Sequence, residues 1–327
     1  LQGNVYVQDG IDSSTLRIVY DKTAPGNDGA GAVDPQMSPD GRLVAFVKDG
    51  EIFVASGGAG AGASEATAVG GETGGSPPPS PALPPPVQLT FGGRSNGMTH
   101  GLADFVAQEE MDRYRGFWWS LDSSSIAFTE VDERHIPSFR IMHQGKDSVG
   151  EGAQEDHHYP FAGKANPKVR LAVIQVDVEG IEAGRATTSP ETFLPIWMDI
   201  GGGTPAKDLT SNGDKTTPIS LQHAPGGAGA AAGAADAGAE PATAEHSGGL
   251  NGGGGGGGGG GGEEIYLARV NWLQDGSLCA QVQNRAQTEL RLLRLNPVTG
   301  LPSTLVVEKS NIWINLHHLL RSLPAPA

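Results

Sequence analysis

Three segments of the chain repeat one pattern: an apolar residue, a turn built on aspartate, and a short apolar strand. The segments are MSPDGRLVAF at 37–46, WSLDSSSIAF at 119–128 and WLQDGSLCAQ at 272–281. Aspartate followed by Gly or Ser is typical of turns, because the carboxylate can accept hydrogen bonds from backbone amides two residues on. A further strand is predicted after each segment, at 51–55, 137–142 and 289–295. This repeated unit favours the blades of a β-propeller; a β-sandwich with similar hairpins is the alternative.

Several other stretches predict short β-strands, because they are rich in β-branched or aromatic residues and are mostly bounded by turn residues. The full set is Asn4–Gln8, Leu43–Val47, Glu51–Ala55, Ser125–Thr129, Val169–Val178, Glu264–Val270 and Glu289–Leu295. Only Gly101–Tyr114 has apolar residues spaced as in a helix. The predicted fold class is therefore all-β, a partial β-propeller with one short helical segment.

Two segments rich in glycine and proline interrupt this pattern, Gly57–Pro86 and Gly201–Gly262. The second ends in an unbroken glycine run from Gly252 to Gly262. Neither segment can bury enough apolar surface to offset the entropy lost on ordering, so both are predicted to be disordered insertions. The glycine run does not predict a phosphate-binding loop, because no preceding strand, following helix or Lys-Ser/Thr pair accompanies it.

The net charge of −15 makes nucleic acid and anionic membrane surfaces unfavourable partners. It would attract cationic ligands weakly, although an acidic surface that keeps a glycine-rich chain soluble is the simpler interpretation. The single cysteine, Cys279, excludes an intrachain disulfide, and the sequence has neither an Asn-x-Ser/Thr acceptor nor an apolar run long enough to cross a membrane. These features favour a cytoplasmic location, with no membrane segment in this chain.

Glu109 and Glu110 are adjacent in the helical stretch, just before the strand that contains Trp118 and Trp119. Two carboxylates held together can accept charge-assisted hydrogen bonds from one ammonium group, which carries three N–H donors. Adjacent residues on a regular helix point about 100° apart, so both could reach one cation only from a short or irregular helix. The alternative is a solvated helix face, because Arg113 follows the two glutamates at the spacing of helical ion pairs.

The stretch FVAQEEMDRYRGFWWSLDSSSIAFTEVDE at 105–133 resembles the glutamate-bearing segment of the dipeptidyl peptidase IV family, most closely its bacterial and dipeptidyl peptidase 8/9-like branches. Further matching stretches follow in family order: YPFAGKANPKVRLAVIQVDV at 159–178, IWMDIG at 196–201, IYLARVNWLQDG at 265–276 and WINLH at 313–317. The resemblance implies the N-terminal β-propeller domain of a serine peptidase. That domain would have eight blades beside an α/β-hydrolase domain, and this chain would form about half of the propeller or more.

The resemblance also implies a role for the two glutamates. In this family a glutamate pair, here Glu109 and Glu110, binds the free amine of a peptide substrate, and cleavage follows the second residue, often Pro or Ala. Arg113 and Tyr114, from the same motif, are the expected supporting residues. The implied partners are peptide substrates with a free N-terminus, a hydrolase domain of the same polypeptide and, in a homodimer, a second copy. No cofactor is implied.

No catalytic residue and no metal ligand is predicted in this chain. The one G-x-S-x-G match places Ser95 between a short predicted strand at 88–91 and the glutamates, not on the strand-to-helix turn that a nucleophile elbow needs. The adjacent pairs His157-His158 and His317-His318 lack the spacing and companion ligands of a metal site.

Residues 1–327 are therefore expected to form a partial propeller domain, interrupted by insertions at 57–86 and 201–262, without the catalytic hydrolase domain. Alone, the chain is expected to be inactive as a peptidase and to fold poorly, because an incomplete propeller leaves open edge strands. The expected function is recognition of the substrate's N-terminus and gating of its access in a serine-type dipeptidyl peptidase. A non-catalytic propeller that binds peptides or proteins, as a pseudopeptidase or an independent module, is the alternative.

Overall fold

The computed structural model describes residues 3–8, 16–58, 84–93, 97–143, 154–201, 219–222, 264–321 and 323. The strands, in chain order, are β1 (Val5–Gln8), β2 (Leu16–Tyr20), β3 (Val33–Met37), β4 (Leu43–Lys48), β5 (Glu51–Ser56), β6 (Val87–Gln88), β7 (Met98–His100), β8 (Phe117–Trp119), β9 (Ser125–Asp132), β10 (Ser138–Met142), β11 (Gln154–His158), β12 (Lys168–Gln175), β13 (Ile196–Trp197), β14 (Ile219–Gln222), β15 (Ile265–Trp272), β16 (Leu278–Asn284), β17 (Glu289–Leu295) and β18 (Pro302–Lys309). The helices are α1 (Phe105–Glu109), α2 (Val178–Glu182) and a 3-10 helix at Pro190–Thr192.

Within the described residues these strands form three larger sheets and two hairpins. The first sheet has the order β3-β4-β5-β6. The second has the order β13-β12-β9-β7, with β8 also paired to β9, and the third has the order β14-β18-β17-β16-β15. Pairing is antiparallel throughout, except that β14 runs parallel to β18. The hairpins are β1–β2 and β10–β11.

Each larger sheet contains one of the three sequence repeats. The first residue of each repeat ends a strand, since Met37 closes β3, Trp119 closes β8 and Trp272 closes β15. In the turn that follows, the aspartate Oδ1 accepts a hydrogen bond from the amide two residues on, at 3.1, 3.1 and 2.9 Å in the three repeats. The repeat therefore encodes the same hairpin three times, as the sequence predicts.

Neighbouring sheets bury separate apolar cores. The first and second sheets enclose a cluster that includes Leu43 and Phe128, and the second and third enclose one that includes Leu171. The β1–β2 hairpin covers the opposite face of the first sheet, where it packs against Phe46. Successive residues of β4 thus face two different cores, which explains its continuous apolar run. The predicted fold class, an all-β partial propeller, is confirmed.

Two tryptophans link neighbouring sheets through equivalent hydrogen bonds. The Trp119 indole N–H donates to the Gln36 carbonyl oxygen at 3.2 Å, and the Trp272 indole N–H donates to the Trp118 carbonyl oxygen at 3.0 Å. In both cases the donor opens one repeat and the acceptor directly precedes the repeat before it. The repeat therefore specifies the contact between sheets as well as the hairpin within each sheet.

Replacing Trp272 with phenylalanine should lower the free energy of unfolding by about 0.5–1.5 kcal/mol, because the hydrogen bond from the indole to the Trp118 carbonyl would be lost in a partly buried position. Urea denaturation would measure the change. Trp313→Phe is the control, since the Trp313 side chain is 61% exposed. Equal destabilisation by the two substitutions would contradict a specific role for the indole–carbonyl bond.

The first helix is shorter than the sequence predicts. α1 has five residues, not the whole of Gly101–Tyr114. It starts where the Asp104 carboxylate accepts a hydrogen bond from the Ala107 amide at 3.0 Å. Shortly after its end, Asp112 has a φ of 51°, in the left-handed region, which a continuing helix would not allow. Tertiary contacts at both ends thus override the helical spacing of the apolar residues.

A second helix was not predicted. The strand expected over Val169–Val178 ends at Gln175, and α2 begins at Val178. Asp177 caps α2 by accepting a hydrogen bond from the Gly180 amide at 2.9 Å, and Ile181 anchors the helix in the first core. Five residues are too few to produce a recognisable helical period. The β-branched residues therefore predict a strand that extends past its observed end and into α2.

Most of the two glycine- and proline-rich insertions lies outside the described residues. Of 57–86, the structure describes Gly57, Gly58 and residues 84–86; of 201–262, it describes Gly201 and residues 219–222. The last four form β14, at the edge of the third sheet. The sequence predicts that the whole second insertion is disordered, so strand β14 departs from that prediction.

Candidate functional site

Residues 101–116, which we call the glutamate segment, leave the second sheet and return to it at one residue, Thr129. The Thr129 carbonyl accepts a hydrogen bond from the Gly101 amide at 2.8 Å, and its amide donates to the Gly116 carbonyl at 2.8 Å. Its hydroxyl donates to the Leu102 carbonyl at 2.9 Å. A Cβ atom on Gly116 would lie 2.4 Å from backbone atoms of Gly101 and Leu102, so this closure requires glycine.

The two glutamates lie at the end of α1. Glu109 is its last residue, and Glu110 is its C-cap, with the Glu110 amide donating to the Val106 carbonyl at 2.9 Å. Both side chains are exposed. Neither forms an ion pair with any other residue that the structure describes. The helix is therefore short and ends at the glutamate pair. Two adjacent carboxylates can reach one cation only from a short or irregular helix, and α1 meets that condition.

Arg113 does not pair with the glutamates, in contrast to the solvated-face alternative. Its side chain is buried, and Nε donates to the Leu267 carbonyl of β15 at 3.0 Å. One terminal nitrogen donates to the Arg115 carbonyl at 2.9 Å, and the other to the Asp104 carboxylate at 3.3 Å. Arg113 thus supports the glutamate segment by attaching it to the third sheet.

Tyr114, the other expected supporting residue, has a different position. Its side chain is 67% exposed, and its hydroxyl makes no hydrogen bond to the rest of the described chain. The structure brings Glu109, Glu110 and Arg113 into one segment but assigns Tyr114 no contact that would support the pair.

A cavity of about 390 Å³ adjoins Glu110. Such a volume is within the range of small-ligand sites. Its wall combines carboxylates, one guanidinium, side-chain amides and apolar groups, namely Glu110, Met111, Asp112, Arg269, Gln283, Gln287, Trp313, Ile314, Asn315, Leu316 and His318. The wall therefore draws on the glutamate segment, the third sheet and the chain after β18.

Arg269 is a residue of this site that the sequence reasoning missed. One terminal nitrogen donates to the Met111 carbonyl at 2.5 Å and to the Ala268 carbonyl at 2.7 Å. The other lies 3.2 Å from His318 Nε2, which is itself 3.1 Å from the Asp112 carboxylate. Arg269 lies in the matching stretch at 265–276, and that match was the only signal in the sequence that could have found it.

A buried ionic network, also missed, joins the first and second sheets. His100 of β7 is 1% exposed; its Nδ1 lies 2.8 Å from Glu51 of β5, and its Nε2 lies 3.1 Å from Glu130 of β9. Glu130 also accepts a hydrogen bond from Arg170 at 3.0 Å, and Glu51 accepts one from the Thr90 hydroxyl at 2.6 Å. The members of this network are far apart in the sequence, and their residue types form no motif that would identify it.

The charges in this network stabilise one another. Burial lowers the pKa of His100, but its hydrogen bonds to Glu130 and Glu51 outweigh burial and raise the pKa to about 9. Burial raises the pKa of each glutamate, and the hydrogen bond with His100 helps to bring both below the usual value. The His100 imidazole and both carboxyl groups are therefore charged at neutral pH.

The other sequence motifs give no additional site. Ser95 lies outside the described residues. His158 Nδ1 bonds to the Ile136 carbonyl at 2.8 Å, and His157 lies 3.3 Å from Glu155. In the described ranges, no group of three or more His, Cys, Asp or Glu side chains could hold a metal ion. No helix in those ranges is both long and apolar enough to cross a membrane.

The chain is similar to several characterised proteins over part of its length. It is 31% identical over 115 residues to dipeptidyl peptidase 4 of Felis catus, which covers 35% of this chain and 15% of that protein. It is 35% identical over 92 residues to prolyl endopeptidase FAP of Homo sapiens, covering 28% of this chain and 12% of that protein. It is 34% identical over 91 residues to dipeptidyl peptidase 8 of Homo sapiens, covering 24% and 10%. The aligned part is thus a small fraction of each relative.

Solved structures resemble the fold over almost the whole chain. Dipeptidyl peptidase 4 of Porphyromonas gingivalis matches with a TM-score of 0.51 and 18% identity, over 91% of this chain and 28% of that one. A putative dipeptidyl aminopeptidase IV of Bacteroides ovatus matches with a TM-score of 0.51 and 16% identity, over 96% and 28%. The family model for the dipeptidyl peptidase IV (DPP IV) N-terminal region matches residues 82–195 and 259–326, more than half of the chain. The chain therefore belongs to the family of dipeptidyl peptidase IV N-terminal regions.

Proposed function

We propose that this chain recognises the free N-terminus of peptide substrates for a serine-type dipeptidyl peptidase, with Glu109 and Glu110 binding the α-ammonium group. One observation carries the proposal. Both carboxylates are exposed, and Glu110 lines a cavity. Neither has an ion pair among the described residues, although Arg113 and Arg269 are close in the structure. The hydrogen bonds of both arginines go to other groups, so neither arginine serves as a counter-ion to the glutamates.

An α-ammonium group suits this arrangement chemically. It carries one positive charge and three N–H donors, and each charge-assisted hydrogen bond contributes about 1.5–3 kcal/mol. Two neighbouring carboxylates repel each other, and a bound cation would relieve that repulsion. A peptide whose N-terminus is acetylated has neither the charge nor the donors, so the site would discriminate against it.

In the proposed enzyme the serine, histidine and acid of the triad come from a hydrolase domain of the same polypeptide. Fixing the ammonium group at one distance from that serine would select cleavage after the second residue, with release of a dipeptide. The domain assignment of residues 1–327 as part of a propeller with two insertions, and the homodimer, belong to the same proposal. The family membership and the fold support it.

The test is hydrolysis by the polypeptide encoded by the complete reading frame. We expect it to release the N-terminal dipeptide from a peptide that begins Ala-Pro, and to leave the N-acetylated form of that peptide intact. Mass spectrometry of the products distinguishes the two outcomes. Equal cleavage of both forms would contradict recognition of the amine. Binding of the free peptide without cleavage would instead support a non-catalytic peptide-binding propeller.

A further inference from the structure

The glutamate segment and strand β15 are joined by two arginines that reach in opposite directions. Arg113, in the segment, donates to the Leu267 carbonyl of β15 at 3.0 Å. Arg269, in β15, donates to the Met111 carbonyl of the segment at 2.5 Å. We propose that Arg269 is a positioning residue, which holds the chain directly after Glu110 and so sets where the two carboxylates stand. This inference rests on the proposed function.

The segment needs such a support because α1 has little stability of its own. A helix of five residues has few internal hydrogen bonds, and isolated helices of this length do not persist in water. Ala107 is its only buried residue. After Glu110 the chain turns through Asp112 in the left-handed region, which is unfavourable for a residue with a Cβ atom. The hydrogen bond from Arg269 to the Met111 carbonyl lies between Glu110 and Asp112.

The contact suits arginine in particular. The same nitrogen donates to the Met111 carbonyl and, at 2.7 Å, to the Ala268 carbonyl of its own strand, while the second nitrogen faces His318. The planar guanidinium fixes these directions together, whereas a lysine ammonium is a single point on a flexible stem. Lysine would keep the charge at this position but not the geometry.

The choice of acceptors matters for ligand binding. Arg269 lines the same cavity as Glu110, yet it makes no ion pair within 4 Å among the described residues. One terminal nitrogen donates to two backbone carbonyls and the other faces His318, so Arg269 holds the segment without neutralising Glu110. A direct Arg269–Glu110 ion pair would stabilise the segment and also remove the charge that the ammonium group needs.

The test is a double-mutant cycle between Arg269 and the glutamate pair. The probe is a peptide that begins Ala-Pro, with its N-terminus free or acetylated, titrated against the 327-residue chain after circular dichroism has verified its β-structure. We expect Arg269→Gln and Arg269→Lys to weaken binding of the free peptide about tenfold, the loss of one charge-assisted bond, with little effect on the acetylated peptide. In a Glu109→Gln/Glu110→Gln background, Arg269→Gln should have no further effect.

A second readout does not depend on binding. Hydrogen exchange of the amides at 109–113 should become faster in Arg269→Gln, while the cores exchange as in the parent chain. Arg294→Gln is the matched control, because Arg294 is on the same sheet and forms a surface ion pair with Asp275. The control should change neither the exchange at 109–113 nor the binding.

The outcomes separate the two proposals. Unchanged exchange at 109–113, or an equal loss of binding with and without the glutamates, would overturn the role of Arg269. If the Glu109→Gln/Glu110→Gln variant binds the free peptide as the parent does, the proposed function fails. The exchange experiment then still decides whether Arg269 holds the segment.

Discussion

Replacing Glu109 and Glu110 together with glutamine should weaken binding of a peptide with a free N-terminus by about 100-fold. Glutamine keeps the size and the carbonyl oxygen of glutamate but removes the charge, so the loss measures the charge-assisted part of the bonds. That part is about 1.5–3 kcal/mol for each bond, and a tenfold change in affinity corresponds to about 1.4 kcal/mol. The glutamates have no ion pair among the described residues, so the substitution should not lower stability.

Isothermal titration with an Ala-Pro peptide would measure this effect, and thermal unfolding would check the stability. Glu191→Gln is the control for loss of one negative charge, because Glu191 is exposed on the 3-10 helix and outside the glutamate segment. The control should bind as the parent chain does. Each single substitution should have a smaller effect than the pair. A double variant with unchanged affinity would remove the glutamates from the site.

Replacing His100 with phenylalanine should lower the free energy of unfolding by about 3–5 kcal/mol. The substitution leaves Glu51 and Glu130 buried without the imidazolium between them, and removing one partner from a buried ionic network typically has this effect. His100 also joins the first sheet to the second, so the loss should weaken the contact between two blades rather than one hairpin.

The same network predicts how stability depends on pH. The pKa of His100 is raised from 6.5 to about 9, so its contribution is complete below about 6.5 and is lost as pH rises through about 9. The difference corresponds to about 3 kcal/mol. The pKa values of Glu51 and Glu130 are lowered, so their contribution is present above their ordinary values and is lost as the pH falls below them. The network should therefore stabilise most in mildly acidic solution.

Denaturant unfolding at pH 6 and at pH 10 would test this prediction. The stability difference between the parent chain and His100→Phe should be larger at pH 6 than at pH 10. His157→Phe is the control, because His157 lies on the exposed β10–β11 hairpin. If His100→Phe does not fold, Glu130→Gln offers a milder change with the same expected direction. An equal stability difference at both pH values would contradict the assignment of a charged His100.

The sequence predicted the parts of the fold that depend on local pattern. The aspartate turns at Asp40, Asp122 and Asp275 form as expected, because each carboxylate bonds an amide only two residues away. The strands predicted to follow these turns are also present. Trp119 and Trp272 were recognised as parts of the repeat, but their bonds to the neighbouring sheet were not, since the acceptors are distant in sequence.

The parts that the sequence did not predict depend on contacts between distant residues. The shortness of α1 depends on Asp104 and on the turn after Glu110, and α2 is too short to give a period. Strand β11 is made of polar residues, all of them at least partly exposed, so no alternation marks it. For the candidate site, the sequence identified both glutamates and Arg113, but the partners of Arg113 became visible only in three dimensions.

The most direct measurement is the ratio of two dissociation constants, for one peptide with a free N-terminus and for the same peptide after acetylation, titrated against the unaltered chain. Two carboxylates that act as a receptor for an ammonium group should make the acetylated peptide bind at least about tenfold more weakly. Equal affinity for the two forms would mean that the chain does not recognise the positive charge at the peptide's N-terminus.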